Sequence, residues 1–334
     1  MLSTLSISSL LSALLLSPVT NGDALIPAVP APAPFVPWNH GPGTSGGGST
    51  TISGETLRKG RWSVDLTSLY TSYDSPSRAG AEAIAGQVGE FDSLDSAFVQ
   101  DVAFAYGMTD DFQVGAHIGY YAGSNFVDAE EEGGTVESAT ADPSGLTDLW
   151  LTAKYRVVRG ASGHLSLLGG IKLPTGKDDE ELDNGELLEP SSQPGSGAVD
   201  YQAGLAYSRY LTPYLTLDAS ALYTLRTEED DFEVGDRADV GVALAYRLTE
   251  DVRAPNNWSV FGELAGIWLD QDEDDGVENE NSGGETVYLA LGVRDRFSEH
   301  LALSVAPAIP IHQDLDGEQV ESDWRVAVTL SFTY

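Results

Sequence analysis

Three groupings of side chains in this 334-residue sequence have the types and spacing to do chemistry. The first is a set of cations, Lys154, Arg156, Lys172, Arg226, Arg237, Arg247, Arg294, Arg296 and Arg325, with Glu263 in the same phase. Each sits where polar and apolar residues alternate. Such a row can pass or hold an anion, or it can be neutralised by acids of the same phase such as Asp65, Asp148, Asp200, Asp218 and Asp239. The second is Asp270-Gln271-Asp272-Glu273-Asp274-Asp275-Gly276, which offers Asp270, Asp272 and Asp274 as calcium ligands. The glycine comes one place late and no Glu closes the loop at its twelfth position, so the match to a calcium loop is weak. The third is His164-Leu165-Ser166, a base and a hydroxyl on one side of a strand. A nucleophile of this kind needs a third, orienting polar group, and none follows. No nucleophile elbow, phosphate loop or paired-His metal motif occurs, and there is no Cys, so no enzyme activity and no cofactor beyond the calcium candidate is expected.

The elements that position these residues are strands. Alternation at period two sends successive side chains to opposite faces. It recurs near 61–73, 95–107, 112–124, 146–158, 163–173, 198–211, 215–226, 236–248, 258–269, 286–297, 300–312 and 322–334. In the last segment Trp324, Val326, Val328, Leu330, Phe332 and Tyr334 oppose Arg325, Ala327, Thr329, Ser331 and Thr333. These segments exceed the ~5–6 residues of ordinary strands and suit the ~9–11 tilted residues that cross a bilayer. Connections alternate between short turns and long loops, as a barrel in an outer membrane requires. The expected fold is therefore all-β, a single antiparallel transmembrane β-barrel of about 12 strands with long acidic outer loops.

Charge divides the same way. The windows 74–95, 125–145, 174–197, 227–236, 270–285 and 313–323 hold 37 acids against Arg78 and Lys177, which accounts for the whole net charge of −35. All six would emerge at one end. Phosphates would be repelled, which excludes nucleic acid as a partner. No apolar run is long enough for a spanning helix. Residues 1–24, with an apolar stretch at Leu5 to Leu16, read as a signal peptide. Residues 25–60, rich in Pro and Gly, read as an extended linker ahead of a barrel at 61–334. Aromatics near strand ends, among them Trp62, Tyr106, Tyr155, Tyr246, Trp258 and Phe332, suit a membrane-interface girdle.

Three segments carry a family resemblance. Gly145 to Arg156, Lys172-Leu173-Pro174-Thr175-Gly176-Lys177, and Gly195 to Gly204 resemble segments of the putative MetA-pathway of phenol degradation family. The resemblance covers roughly 60–334. It implies an outer-membrane barrel that acts as a transporter and is linked by genomic association with aromatic catabolism. The ending Ser331-Phe332-Thr333-Tyr334 resembles the C-terminal signature of bacterial outer-membrane barrels, which implies the barrel-assembly machinery as a partner. Lipid and lipopolysaccharide would surround the protein, and a small solute, hydrophobic or aromatic, would pass through it. The second reading is a structural or surface-interaction barrel whose acidic loops bind cations. Arg294, Arg296 and Arg325, all within the last three strands, are expected to form one local basic patch.

Overall fold

The computed structural model describes residues 47–160, 163–249 and 256–334. The expected signal peptide at 1–24, and the expected linker as far as residue 46, lie outside the described residues. Twelve long strands run up and down: β1 Trp62–Tyr73, β2 Ser96–Gly107, β3 Phe112–Ser124, β4 Leu149–Arg159, β5 Gly163–Leu173 and β6 Tyr201–Tyr210. There follow β7 Leu215–Leu225, β8 Arg237–Arg247, β9 Asn257–Leu269, β10 Gly284–Arg296, β11 Leu301–Leu315 and β12 Ser322–Thr333. Each pairs antiparallel with the next, and β12 returns to β1 with Leu66 opposite Leu330. Trp62 and Tyr334 exchange backbone hydrogen bonds of 2.9 and 2.8 Å at the seam. The closed ring leaves no strand edge, which is the condition for placing β-structure in hydrocarbon. Every alternating segment of the sequence becomes one of these strands, with ends displaced by no more than 3 residues.

Burial is inverted relative to a water-soluble fold. Val102, Leu151, Leu167, Leu205, Leu244, Leu264, Leu291 and Ile309 are exposed, while Asp65, Lys154, Asp218, Glu263 and Arg294 are buried. Exposed aromatics bracket the aliphatic band. Trp62, Tyr106, Tyr155, Tyr246, Trp258, Phe297 and Phe332 stand toward the short-turn end, and Phe98, Tyr120, Tyr201, Tyr223, Trp268 and Trp324 toward the other. From Trp258 to Trp268 the chain advances ~33 Å at ~3.3 Å per residue, which a tilt of ~40° reduces to ~25 Å, the height of an outer-membrane apolar band.

Two prolines inside β11 mark its irregularities. Pro310 faces Tyr288 while His312 faces Val287, so Ile311 bulges from the ladder. Pro307 lacks an N–H, and the ladder toward β10 skips Leu291 and Gly292 beside it.

At the far end the long connections fold on one another. Helix α1, Arg78–Val88, starts at the cap Ser77 and stops at Gly89, whose φ of 101° suits only glycine. Its Ala81 and Ala85 pack on Phe91, Val127 and Ala129. A second cluster gathers Phe126, Ala139, Leu182 and Leu188. The outer connections thus have small cores of their own, drawn from the first, second and third of them.

The plugged lumen as candidate functional site

Residues 47–57, which composition assigns to the linker, run through the barrel interior. Glu263, from the middle of β9, accepts backbone N–H bonds from Ser49 (2.7 Å), Thr50 (3.0 Å) and Thr51 (2.6 Å) and hydroxyl bonds from all three residues. Asp218 accepts from the Gly47 N–H (2.9 Å), and Ser208 from that of Gly54 (2.8 Å). Ser166 donates to the Gly54 carbonyl (2.7 Å) and the Lys154 ammonium to that of Glu55 (2.8 Å). A buried carboxylate is tolerated only when donors surround it, and the uncharged stretch Ser49 to Thr51 supplies donors without adding acids. The segment fits closely: a Cβ on Gly54 would lie 2.7 Å from the His164 carbonyl and 2.8 Å from that of Ala206. Its departure from a linker has this physical reason, that the inward carboxylates need partners.

Above the plug lies a cavity of about 590 Å³. Gly47 to Ile52 form part of its wall, with Leu69, Leu168, Leu222 and Ile267 as apolar patches beside Asp65, Arg294 and Arg325. A second cavity of about 380 Å³ is lined by Lys172 and Arg226 and by Pro190, Ser191, Gln193, Pro194 and Ser196 of the third outer connection. Asp101, His117, Gln202, Arg237 and Asp239 line both cavities and so form a collar between them. The third connection is pinned over the mouth by Asp148, which accepts the N–H groups of Thr175 (3.0 Å), Gly176 (2.8 Å) and Ser196 (3.1 Å).

The cations expected to face inward separate into groups. Lys154, Arg237, Arg294 and Arg325 reach the first cavity, and Lys172, Arg226 and Arg237 the second. Lys172 lies between Asp148 (3.3 Å) and Asp200 (2.5 Å), and Arg237 pairs with Asp239 (2.7 Å). Arg156 turns to Asp111 in the short turn (2.7 Å). There the Lys59 N–H, with Arg159, Arg58 and Arg156 nearby, holds the Asp110 carboxyl below the usual carboxylate range. Arg247 donates to the Pro213 carbonyl and covers the Tyr214 ring, while Arg296 ends β10 opposite Asn257. Glu263 is covered by the plug.

The expected basic patch is divided. Arg294 is level with Ser304 of β11 and Arg325 with Ala308, four residues or ~13 Å farther along. Arg294 stacks on Phe261 and donates to the Gly47 and Gly48 carbonyls; Arg325 stacks on Tyr288 at 3.6 Å. Ser166 spends its hydroxyl on the plug, and His164 faces Glu55 at 3.5 Å, so the two do not form a dyad.

The calcium candidates are not gathered either. The Asp270 N–H bonds the Asp236 carbonyl, Asp272 accepts the Gly235 N–H, and Asp274 pairs with Phe232 in a two-residue strand. Each is held by a different loop contact. Among the described residues the one trio of acids close enough to share an ion is Glu90, Asp92 and Glu189. Neither these three nor the plug was singled out in the sequence.

A family model described as "Putative MetA-pathway of phenol degradation" matches residues 40–306. The COG4313 outer membrane channel from Pseudomonas putida F1 is similar in structure, with 14% identity over 84% of this chain and 98% of that one and a TM-score of 0.58. The KdgM porin covers 81% of this chain and 99% of its own at 7% identity and a TM-score of 0.43. For the translocator domain of the autotransporter NalP from Neisseria meningitidis the values are 83%, 89%, 11% and 0.46. No curated protein matches the chain.

Proposed function

Since the chain belongs to the putative MetA-pathway of phenol degradation family and folds as an outer-membrane β-barrel, we propose that it is a channel for the passive passage of a small, hydrophobic or aromatic solute. The observation that carries this reading is the pair of cavities sharing a collar, one reaching the loop-covered mouth and one ending on the plug. A volume of about 590 Å³ suits a small organic molecule. Its inward-facing Leu69, Leu168, Leu222 and Ile267 offer apolar surface that a purely ionic pore would lack. The family description points to aromatic catabolism, and an uncharged aromatic would not be repelled by the acidic mouth.

Passage through the short-turn end requires the plug to shift, because Gly47 to Leu57 occupy that part of the lumen. Conductance in a planar bilayer tests this reading. The folded wild-type barrel is expected to give small discrete steps, and Glu263→Ala larger ones, since it removes the main anchor of the plug. Aromatic solute uptake by proteoliposomes should rise in the same order. Silence from both folded proteins, with no uptake, would overturn the channel reading. Surrounding lipopolysaccharide and delivery by the barrel-assembly machinery through β12 belong to the same proposal, supported by the aromatic girdles and by Tyr334 at the seam.

A further inference from the structure

The outer connections contain an acid cluster that nothing in the lumen accounts for. Glu90 and Asp92 lie on the short strand Glu90–Ser93 of the first connection, and Glu189 lies in the third. One carboxylate oxygen from each falls within 4.8 Å of the other two. The Oδ1 of Asp92 is sealed from solvent and accepts no hydrogen bond. The neighbours acting most strongly on the three are themselves acids, Asp128, Glu130, Asp272 and Asp274 among them. The two bases of the loop windows are engaged elsewhere, Arg78 with Ser138 and Glu82 and Lys177 with Glu180. A half-buried carboxylate trio with one sealed, unpartnered oxygen is what a bound cation would satisfy.

We propose that Glu90, Asp92 and Glu189 hold one calcium ion that fastens the first outer connection to the third. All-oxygen, all-carboxylate donors without His or Cys select a hard cation over zinc or copper. Calcium sits ~2.4 Å from its ligands, so two oxygens across the ion stand up to ~4.8 Å apart, a span that includes the three carboxylate oxygens here, and its coordination tolerates the irregular geometry of loop carboxylates. The short strand Glu90–Ser93 also pairs with Phe126–Glu132 of the second connection, so one ion would stiffen three loops at once. The site stands apart from the channel reading and would survive its failure.

The test is calcium titration calorimetry on the full folded chain in detergent, first stripped with chelator, because a surface with this many acids also binds calcium diffusely. One saturable site is expected in the sub-millimolar to millimolar range of extracellular modules. Asp92→Asn and Glu189→Gln should each weaken it about tenfold or more, while Asp316→Asn on the sixth connection leaves it unchanged. Hydrogen exchange at 90–93 and 126–132 should slow with calcium in the wild type and not in either variant. Glu189→Gln reads the same site should Asp92→Asn fail to fold. Absence of a saturable site, or equal affinity in all four proteins, would overturn the proposal.

Discussion

Glu263 shows how one side chain decides the state of the lumen. It is buried in the middle of β9 and would be intolerable there as a bare anion, yet three successive backbone N–H groups close on it. Glu263→Ala should weaken seating of the plug by about 2 kcal/mol or more, the scale of a single charge-assisted bond. Limited proteolysis should then cut between residues 47 and 57 in the variant and spare them in the wild type. Gly54 tests the same seat from the other partner. Gly54→Val would drive a side chain into the His164 and Ala206 carbonyls, and the expected outcome is the same exposure with Glu263 intact. None of this was legible in the sequence. Gly47 to Thr51 has the composition of a tether, and its partners lie 171 to 247 residues away. The one hint, a run of Ser and Thr without any charge, has meaning only beside inward carboxylates such as Asp218 and Glu263.

At the scale of elements, strands and loops differ in how far they could be read. The strands were legible because lipid on one side and polar groups on the other impose a period of two, interrupted at bulges such as those at Val157 and Ile311. The lumen-facing set followed from the same parity, but which of its members line open space did not, because that depends on register between strands and on the plug. In the connections, α1 shows the limit. Ala81, Ile84, Ala85 and Val88 have helical spacing, but the helix is short, rich in Ala and Gly, and set in an acidic window. The third connection owes its inward course to Asp148. Asp148→Ala should free the Thr175, Gly176 and Ser196 N–H groups, at a cost of about 2 kcal/mol or more to that loop's docking. Faster hydrogen exchange over 175–196, with an unchanged barrel by circular dichroism, is the expected result.

For the whole molecule, the decisive property is the separation of charge along the barrel axis. The lumenal cations largely have partners: Lys172 between two aspartates, Arg237 on Asp239, and Arg294 on plug carbonyls with Asp218 and Glu263 nearby. The loop acids, 37 against Arg78 and Lys177, mostly have no cation to pair with, so the mouth should set selectivity. In a salt gradient the reversal potential is expected to show preference for cations at 0.1 M, where charges act over ~10 Å, and to lose most of it at 1 M, where they act over ~3 Å. Preference for anions would place control with the lumenal arginines instead. The plug carries one more consequence, for the order in which the molecule comes into being. Gly47 to Leu57 precede β1 in the chain, yet their seats are on β3 to β7, β9 and β10, which only the rolled-up sheet brings together. The earliest of these residues to be synthesised must therefore be among the last to find their places. A nearly complete wall has to stand before its stopper can go in.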